Sequence, residues 1–266
     1  MHQQARSGRL LWLIAIGFLS QLVAHTQTPT STARDAGAVN TVQAAIVALG
    51  GQAALSAIQD ATVSGSCQSA NANASYNSNA QTAVSWTISG REFRYLTRAE
   101  GEEHILVSGH GRPMVSESAA TRALNPLTQA LLKPYHFPGI VLVHELQDPS
   151  RSFKFMGTES IAGVQALHAR IFTAVGGWPL PAFDQDWYFD PSSHLPVAVT
   201  YRLPTAVTSN VFVVATMIYQ SFDTSQSMPT IQRLQTEYDG LDPKTCTLAA
   251  PTINSHPPAA TFGVSE

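Results

Sequence analysis

Three aspartates and a histidine crowd residues 184–202 (DQDWYFDPSSHLPVAVTYR), and this grouping is where metal or acid–base chemistry could first reside. A metal site needs three or four converging ligands. Asp184 and Asp186 share one face of a strand pattern and supply two, while Asp190 and His194 flank the turn residues Pro191-Ser192-Ser193. The glycine and terminal glutamate of a calcium loop are missing, and none of the nine histidines falls in an H-x-H or H-E-x-x-H pair. The stretch therefore reads as a β-hairpin, with its aspartates at strand ends and the turn, and no metal is expected.

Other residue types with chemical potential fare similarly. Glu102-Glu103-His104 could form an acid–base group, but such a run at a hairpin edge ordinarily faces solvent. Cys67 has no local base, and no G-x-S-x-G elbow is present. Gly50-Gly51 and Gly176-Gly177 lack the lysine and hydroxyl residue of a phosphate loop. An envelope enzyme would require Glu159, His168, Arg170 or the Asp184/Asp186 pair to converge in a cleft. A module binding proteins through an exposed strand edge is a further alternative. The leading expectation is a non-catalytic protein without a cofactor.

The elements that would position these residues follow from periodicity. Val39, Val42, Ile46 and Leu49 recur at helical spacing and stop at Gly50-Gly51, and residues 52–58 give a second helical piece. Period-two alternation then dominates. Thr82, Val84, Trp86 and Ile88 share one face, Phe93 and Tyr95 share another, and residues 102–108 and 113–117 form a hairpin. Residues 119–147 break the pattern: Asn125-Pro126 starts a helix with the stripe Leu124, Leu127, Leu131 and Leu132, and the apolar piece 140–146 follows. Strands return at 153–158, 164–175, 186–190, 195–201, 211–219 and 231–238, the last closing the sheet.

At 266 residues and 44% hydrophobic, the chain can bury a sizeable core. Its 12% charged residues, net charge of −3 and pI near 6.3 provide no basic field for nucleic acid. Arg6 and Arg9 precede an apolar run at residues 10–24, which reads as an export signal. The run falls short of the roughly 20 residues of a membrane span. The expected organisation is a signal peptide (1–24), a linker (25–38), one domain (39–240) and a proline-rich, irregular tail (241–266), exported to the periplasm or secreted. Oxidation there would join Cys67 to Cys246.

The aromatic and aliphatic faces admit two readings: a helix packed on a sheet as ordinary core, or a hollow between them for an acyl chain. The order of elements bears on the choice. The helix ending in ALGG, the pair GTESIAGVQALHARI and the run WYFDPSSHLPVAVTYR resemble the periplasmic lipoprotein-carrier superfamily, the LolA/LolB-like fold. That resemblance implies a mainly β, α+β architecture: a curved antiparallel half-barrel sheet whose concave face is covered by helices. It also implies binding of a lipid or the acyl chain of an acylated protein, with contact to an envelope protein or a membrane surface. The expected cavity wall is Trp86, Ile88, Phe93, Tyr95, Leu127, Leu131, Trp187 and Phe189.

Overall fold

The structure is a computed structural model that describes residues 33–69, 81–90, 92–99, 101–109, 112–117, 120–123, 133–175, 178–179, 183–204, 212–238 and 241–263. The signal segment, most of the linker and the helix expected from Asn125, with Leu127 and Leu131, lie outside the described residues. No helix among the described residues is long and apolar enough to cross a membrane.

Helix α1 (Ala36–Ala48) starts where the Asp35 carboxylate accepts from the Ala38 amide at 2.9 Å, an N-cap four residues before Val39, the first residue of the stripe. It ends as its spacing predicts: Gly50 takes φ 115°, and the Gly51 amide reaches back to the Ile46 carbonyl at 2.9 Å. Helix α2 (Gln52–Ser56) follows, then strands β1 (Asp60–Ser69), β2 (Thr82–Ser89), β3 (Glu92–Ala99), β4 (Glu102–Gly109), β5 (Arg112–Glu117) and β6 (Ala120–Ala123). Helix α3 (Pro138–Gln147) leads to β7 (Arg151–Ile161), β8 (Val164–Val175), β9 (Trp178–Pro179), β10 (Gln185–Phe189) and β11 (Pro196–Pro204). The last strands are β12 (Phe212–Asp223), β13 (Thr230–Tyr238), β14 (Leu241–Leu248) and β15 (Thr252–Ile253).

The strands run antiparallel in the order β6-β5-β4-β3-β2-β1-β14-β13-β12-β11-β10-β8-β7, with β15 beside β1 and β9 beside β8. Two meanders, one from each half of the chain, thus meet at a single seam between β1 and β14. Cys67 and Cys246 face each other there in register and form a disulfide with Cα atoms 4.0 Å apart. Disulfides of this kind persist in oxidising compartments.

The expectation that the sheet ends at residue 238 and that residues 241–266 are irregular is corrected. Residues 241–248 form β14, the strand that carries the bridge, and β15 extends the same edge of β1. Local pattern does not mark β14, because its Asp242, Pro243 and Lys244 dilute the alternation. It is specified by the ladders on both sides. Beyond it, the buried Asp60 carboxylate accepts from the Ser255 amide at 2.7 Å and the His256 amide at 3.1 Å, and Phe262 is buried where the final 3-10 turn meets β3 and β4. The interval 119–147 also contains a strand that the pattern missed, β6, paired with β5.

The sheet is open and curls into a half-barrel. Tyr135, in the turn before α3, stacks on Tyr201 of β11 at 4.1 Å and lies 6.0 Å from Trp187 of β10, while its neighbour His136 stacks on Trp86 of β2 at 3.7 Å. Strands far apart in sheet order therefore converge on one turn. The Tyr219 hydroxyl donates to the Tyr135 carbonyl at 2.8 Å, pinning that turn to β12. Helices α1 and α3 pack on each other, and α1 lies on β7 and β8. The fold is mainly β, a curved antiparallel half-barrel with helices on its concave face.

Candidate functional site

The hairpin at 184–202 resolves its aspartates one by one. Asp190 accepts from the Ser192 amide (3.0 Å), the Ser193 amide (2.6 Å) and the Ser193 hydroxyl (2.9 Å), so it holds the turn. Asp186 faces β8, where its carboxylate lies 2.7 Å from His168 Nε2 and takes Arg170 Nε at 2.8 Å and Nη2 at 3.2 Å. His168 Nδ1 lies 3.0 Å from Glu159 of β7, and Tyr188 stacks on the imidazole at 4.5 Å. Gly157 directly opposes His168 in the β7–β8 register, and a bulge there carries β7 past it.

Four residues of the enzyme alternative thus do come together. Burial alone would lower the His168 pKa, but the contacts with Asp186 and Glu159 outweigh it and hold it above the ordinary 6.5. Desolvation likewise opposes ionisation of Asp186, and His168 and Arg170 outweigh it, so its pKa stays below 3.8. Asp184, raised chiefly by desolvation, stands aside from these contacts. With imidazolium and guanidinium each facing carboxylate, the group is charge-balanced, and the buried His168 Nδ1 lies at ion-pair distance from Glu159 without hydrogen-bond geometry. His168 is 3% exposed. No three potential metal ligands among the described residues gather in a metal-binding arrangement.

A second charged group sits under α3. Glu145, 2% exposed, meets Lys133, Arg151 Nε at 2.8 Å and Gln185 Nε2 at 3.0 Å. Gln185 Oε1 in turn accepts from the Trp187 indole at 3.0 Å, and Arg151 also reaches Asp148 (3.4 Å) and Thr173. Periodicity could not reveal this network, because its members come from α3, the turn before it, β7, β8 and β10.

The expected cavity wall is distributed differently from a single lining. Trp187 and Phe189 are fully buried, their rings 6.1 Å apart in the packed core. Trp86 and Ile88 are buried at 9% and 6% exposure, and Phe93 and Tyr95 are half-buried against the same core. The hollows lie to one side of these aromatics. An apolar cleft opens between the end of α1 (Leu49), α2 and its exit (Leu55, Ile58), β1 (Val63), the start of α3 (Ile140) and β13 (Ile231). Met228, from the β12–β13 turn, and Pro251 and Ile253, from the C-terminal segment, complete its rim. Its free volume is about 50 Å³. A neighbouring hollow of about 190 Å³, whose wall includes Ile88, shares Leu55, Ile58 and Ile140 with it.

Two features of the cleft bear on chemistry. No Lys, Arg, Asp or Glu lines either hollow among the described residues. The cleft's ionisable group is His136, which stacks on Trp86 with its ring tilted by 21°. An edge of that ring keeps some solvent access, but its surroundings are densely apolar, and desolvation lowers its pKa from 6.5 to about 3. Sequence patterns gave no sign of His136, since it lies in the turn KPYHFPG outside any strand or helix period.

An open antiparallel half-barrel with helices on its concave side is the class of fold that this chain adopts. The chain matches the crystal structure of a DUF1329 family protein from Desulfovibrio piger, with a TM-score of 0.50 and 10% identity over 85% of this chain and 97% of that one. It also matches a LolA superfamily protein from Nitrosomonas europaea, with a TM-score of 0.48 and 10% identity over 85% and 97% of the two chains. At such identity the likeness is one of fold alone. No protein-family model matches the sequence, and no curated protein matches it. The fold relationship suggested by the sequence motifs is supported.

Proposed function

We propose that this is an exported, non-catalytic protein that binds the acyl chain of a lipid or acylated protein at the cleft between α2, α3, β1 and β13. The observation that carries this reading is the cleft itself: aliphatic walls on all those elements, without a charged side chain among the described residues. As it stands, the cleft has room for only a few water-sized molecules. A chain must therefore displace the shared wall. Leu55 sits on α2, a helix of five residues, and its movement would join the two hollows. Together they come near the roughly 300 Å³ at which small-molecule sites begin. The aromatic core behind them, Trp86 above all, backs the site rather than touching the chain.

The disulfide and the N-terminal signal pattern support export to the periplasm or beyond, where acylated proteins and membrane surfaces are the partners at hand. The test is native mass spectrometry of the protein recovered from a bacterial periplasm, followed by titration with a fluorescent acyl probe. Stoichiometric lipid, or saturable one-to-one uptake that Met228→Trp blocks by filling the rim, is the expected result. Folded protein that takes up no acyl probe would refute the reading.

A further inference from the structure

The cleft's one imidazole has a consequence for what the ligand carries. Tyr95, Trp86 and His136 form a three-ring stack, with centroids 5.2 Å apart for Tyr95 and Trp86 and 3.7 Å apart for Trp86 and His136. The Tyr95 and Trp86 planes differ by 11°, so the stack fixes the plane of the imidazole. One of its faces is covered by Trp86, and its edge nitrogens meet no hydrogen-bonding partner among the described residues. A neutral imidazole offers one N–H donor and one acceptor nitrogen.

The surrounding charges do not reach this position. Lys133, three residues earlier, is engaged with Glu145, and Arg151 is held by Glu145 and Asp148. A ligand carboxylate entering the cleft would be desolvated with no cation among the described lining residues to receive it, a state that costs several kcal/mol unless the group takes up a proton. An ester or amide carbonyl has no such cost, and one N–H satisfies it.

Resting on the acyl-cleft reading, we infer that His136 is a binding residue for an ester or amide carbonyl at the head of the acyl chain, and that the site selects esterified or amidated chains over free fatty acids. The ring stack orients the N–H, and the aliphatic walls hold the chain beyond the carbonyl. Because the ring stays neutral across physiological pH, recognition of the ester does not depend on pH.

The experiment compares the methyl ester, the free acid and the plain alkane of one chain length as competitors of a fluorescent acyl probe, from pH 6 to pH 8. The ester is expected to compete with the same strength throughout. The free acid should weaken as pH rises, to at least about tenfold below the ester at pH 8, because each unit above its ordinary carboxylic pKa in water leaves a tenth as much protonated acid to enter the cleft. His136→Phe keeps the stack but removes the N–H. It should weaken the ester about 3- to 10-fold, the size of one hydrogen bond, and leave the alkane unchanged. His136→Gln, which restores a donor, should recover part of the loss. Equal competition by ester and acid at pH 8, or an unaltered ester in His136→Phe, would overturn the carbonyl assignment while acyl binding stands. Failure of all three ligands and the probe to bind the folded protein would overturn the acyl-cleft reading itself.

Discussion

Removing the bridge between Cys67 and Cys246 tests the central feature of this architecture, a sheet made of two meanders joined at one seam. The two cysteines are 179 residues apart in sequence, so the bond closes nearly the whole domain. In the chain-entropy description, a loop of about 100 residues is worth about 4.7 kcal/mol, and the logarithmic dependence brings this one to about 5 kcal/mol. Native bridges usually deliver about 2–5 kcal/mol, so about 3–5 kcal/mol is expected here. The Cys67→Ala/Cys246→Ala pair avoids placing hydroxyls at two sites that are 6% and 4% exposed. Urea unfolding followed by tryptophan fluorescence, with a slope of about 2.5 kcal/mol per molar for a domain of this size, should move its midpoint down by roughly 1–2 M. The variant should remain folded in water, because β1 and β14 still pair over residues 65–69 and 244–248 and β14 is held by β13. A midpoint shift below about 0.3 M would refute the idea that the bond constrains the unfolded chain across the seam. Loss of strand signal without denaturant would refute the independence of the seam from the bond.

Glu145→Leu should destabilise by about 3–5 kcal/mol in the same urea assay, since Lys133 and Arg151 keep their buried charges and lose the shared carboxylate; a loss under about 1 kcal/mol would place those charges in water. The raised His168 pKa means that its contribution is full below the unfolded value of 6.5 and fades as pH climbs through the higher folded value. The thermal midpoint of the wild type should therefore decline above pH 6.5 more steeply than that of His168→Gln, and parallel curves would remove the linkage. Trp187→Ala should cost about 3–5 kcal/mol through its cavity and the stranded Gln185, with acyl-probe affinity in the folded fraction unchanged; selective loss of affinity would bring Trp187 back to the cavity wall. Asp60→Ala should free the segment after β15, seen as new protease cleavage within residues 254–263, whereas an unchanged digest would show that Asn254 and Phe262 hold it without the carboxylate.

The sequence by itself determined the elements whose burial alternates locally. The α1 stripe with its Gly50-Gly51 stop, the face Val84, Trp86 and Ile88, and the hairpin at 184–202 each place apolar residues at a period that fits one geometry, so their residue order suffices. Asp190 was legible as a turn residue for the same reason. Strand β14 was not, because its place depends on ladders to β13 on one side and β1 on the other, nearly two hundred residues away, and its own alternation is weak.

The sites show the same division. Glu159, His168, Arg170 and Asp186 each had a visible chemical type, but whether they faced a cleft or one another was set by the β7–β8–β10 register. The large aromatics suggested a cavity wall by their size. Close packing drew Trp187 and Phe189 into the core and left the open space beside smaller residues such as Leu55, Ile58 and Ile140. Local periodicity records which side of an element is apolar. Whether two apolar sides meet in full contact or leave a gap depends on the curl of the sheet and the seating of the helices, and only the tertiary structure decides that.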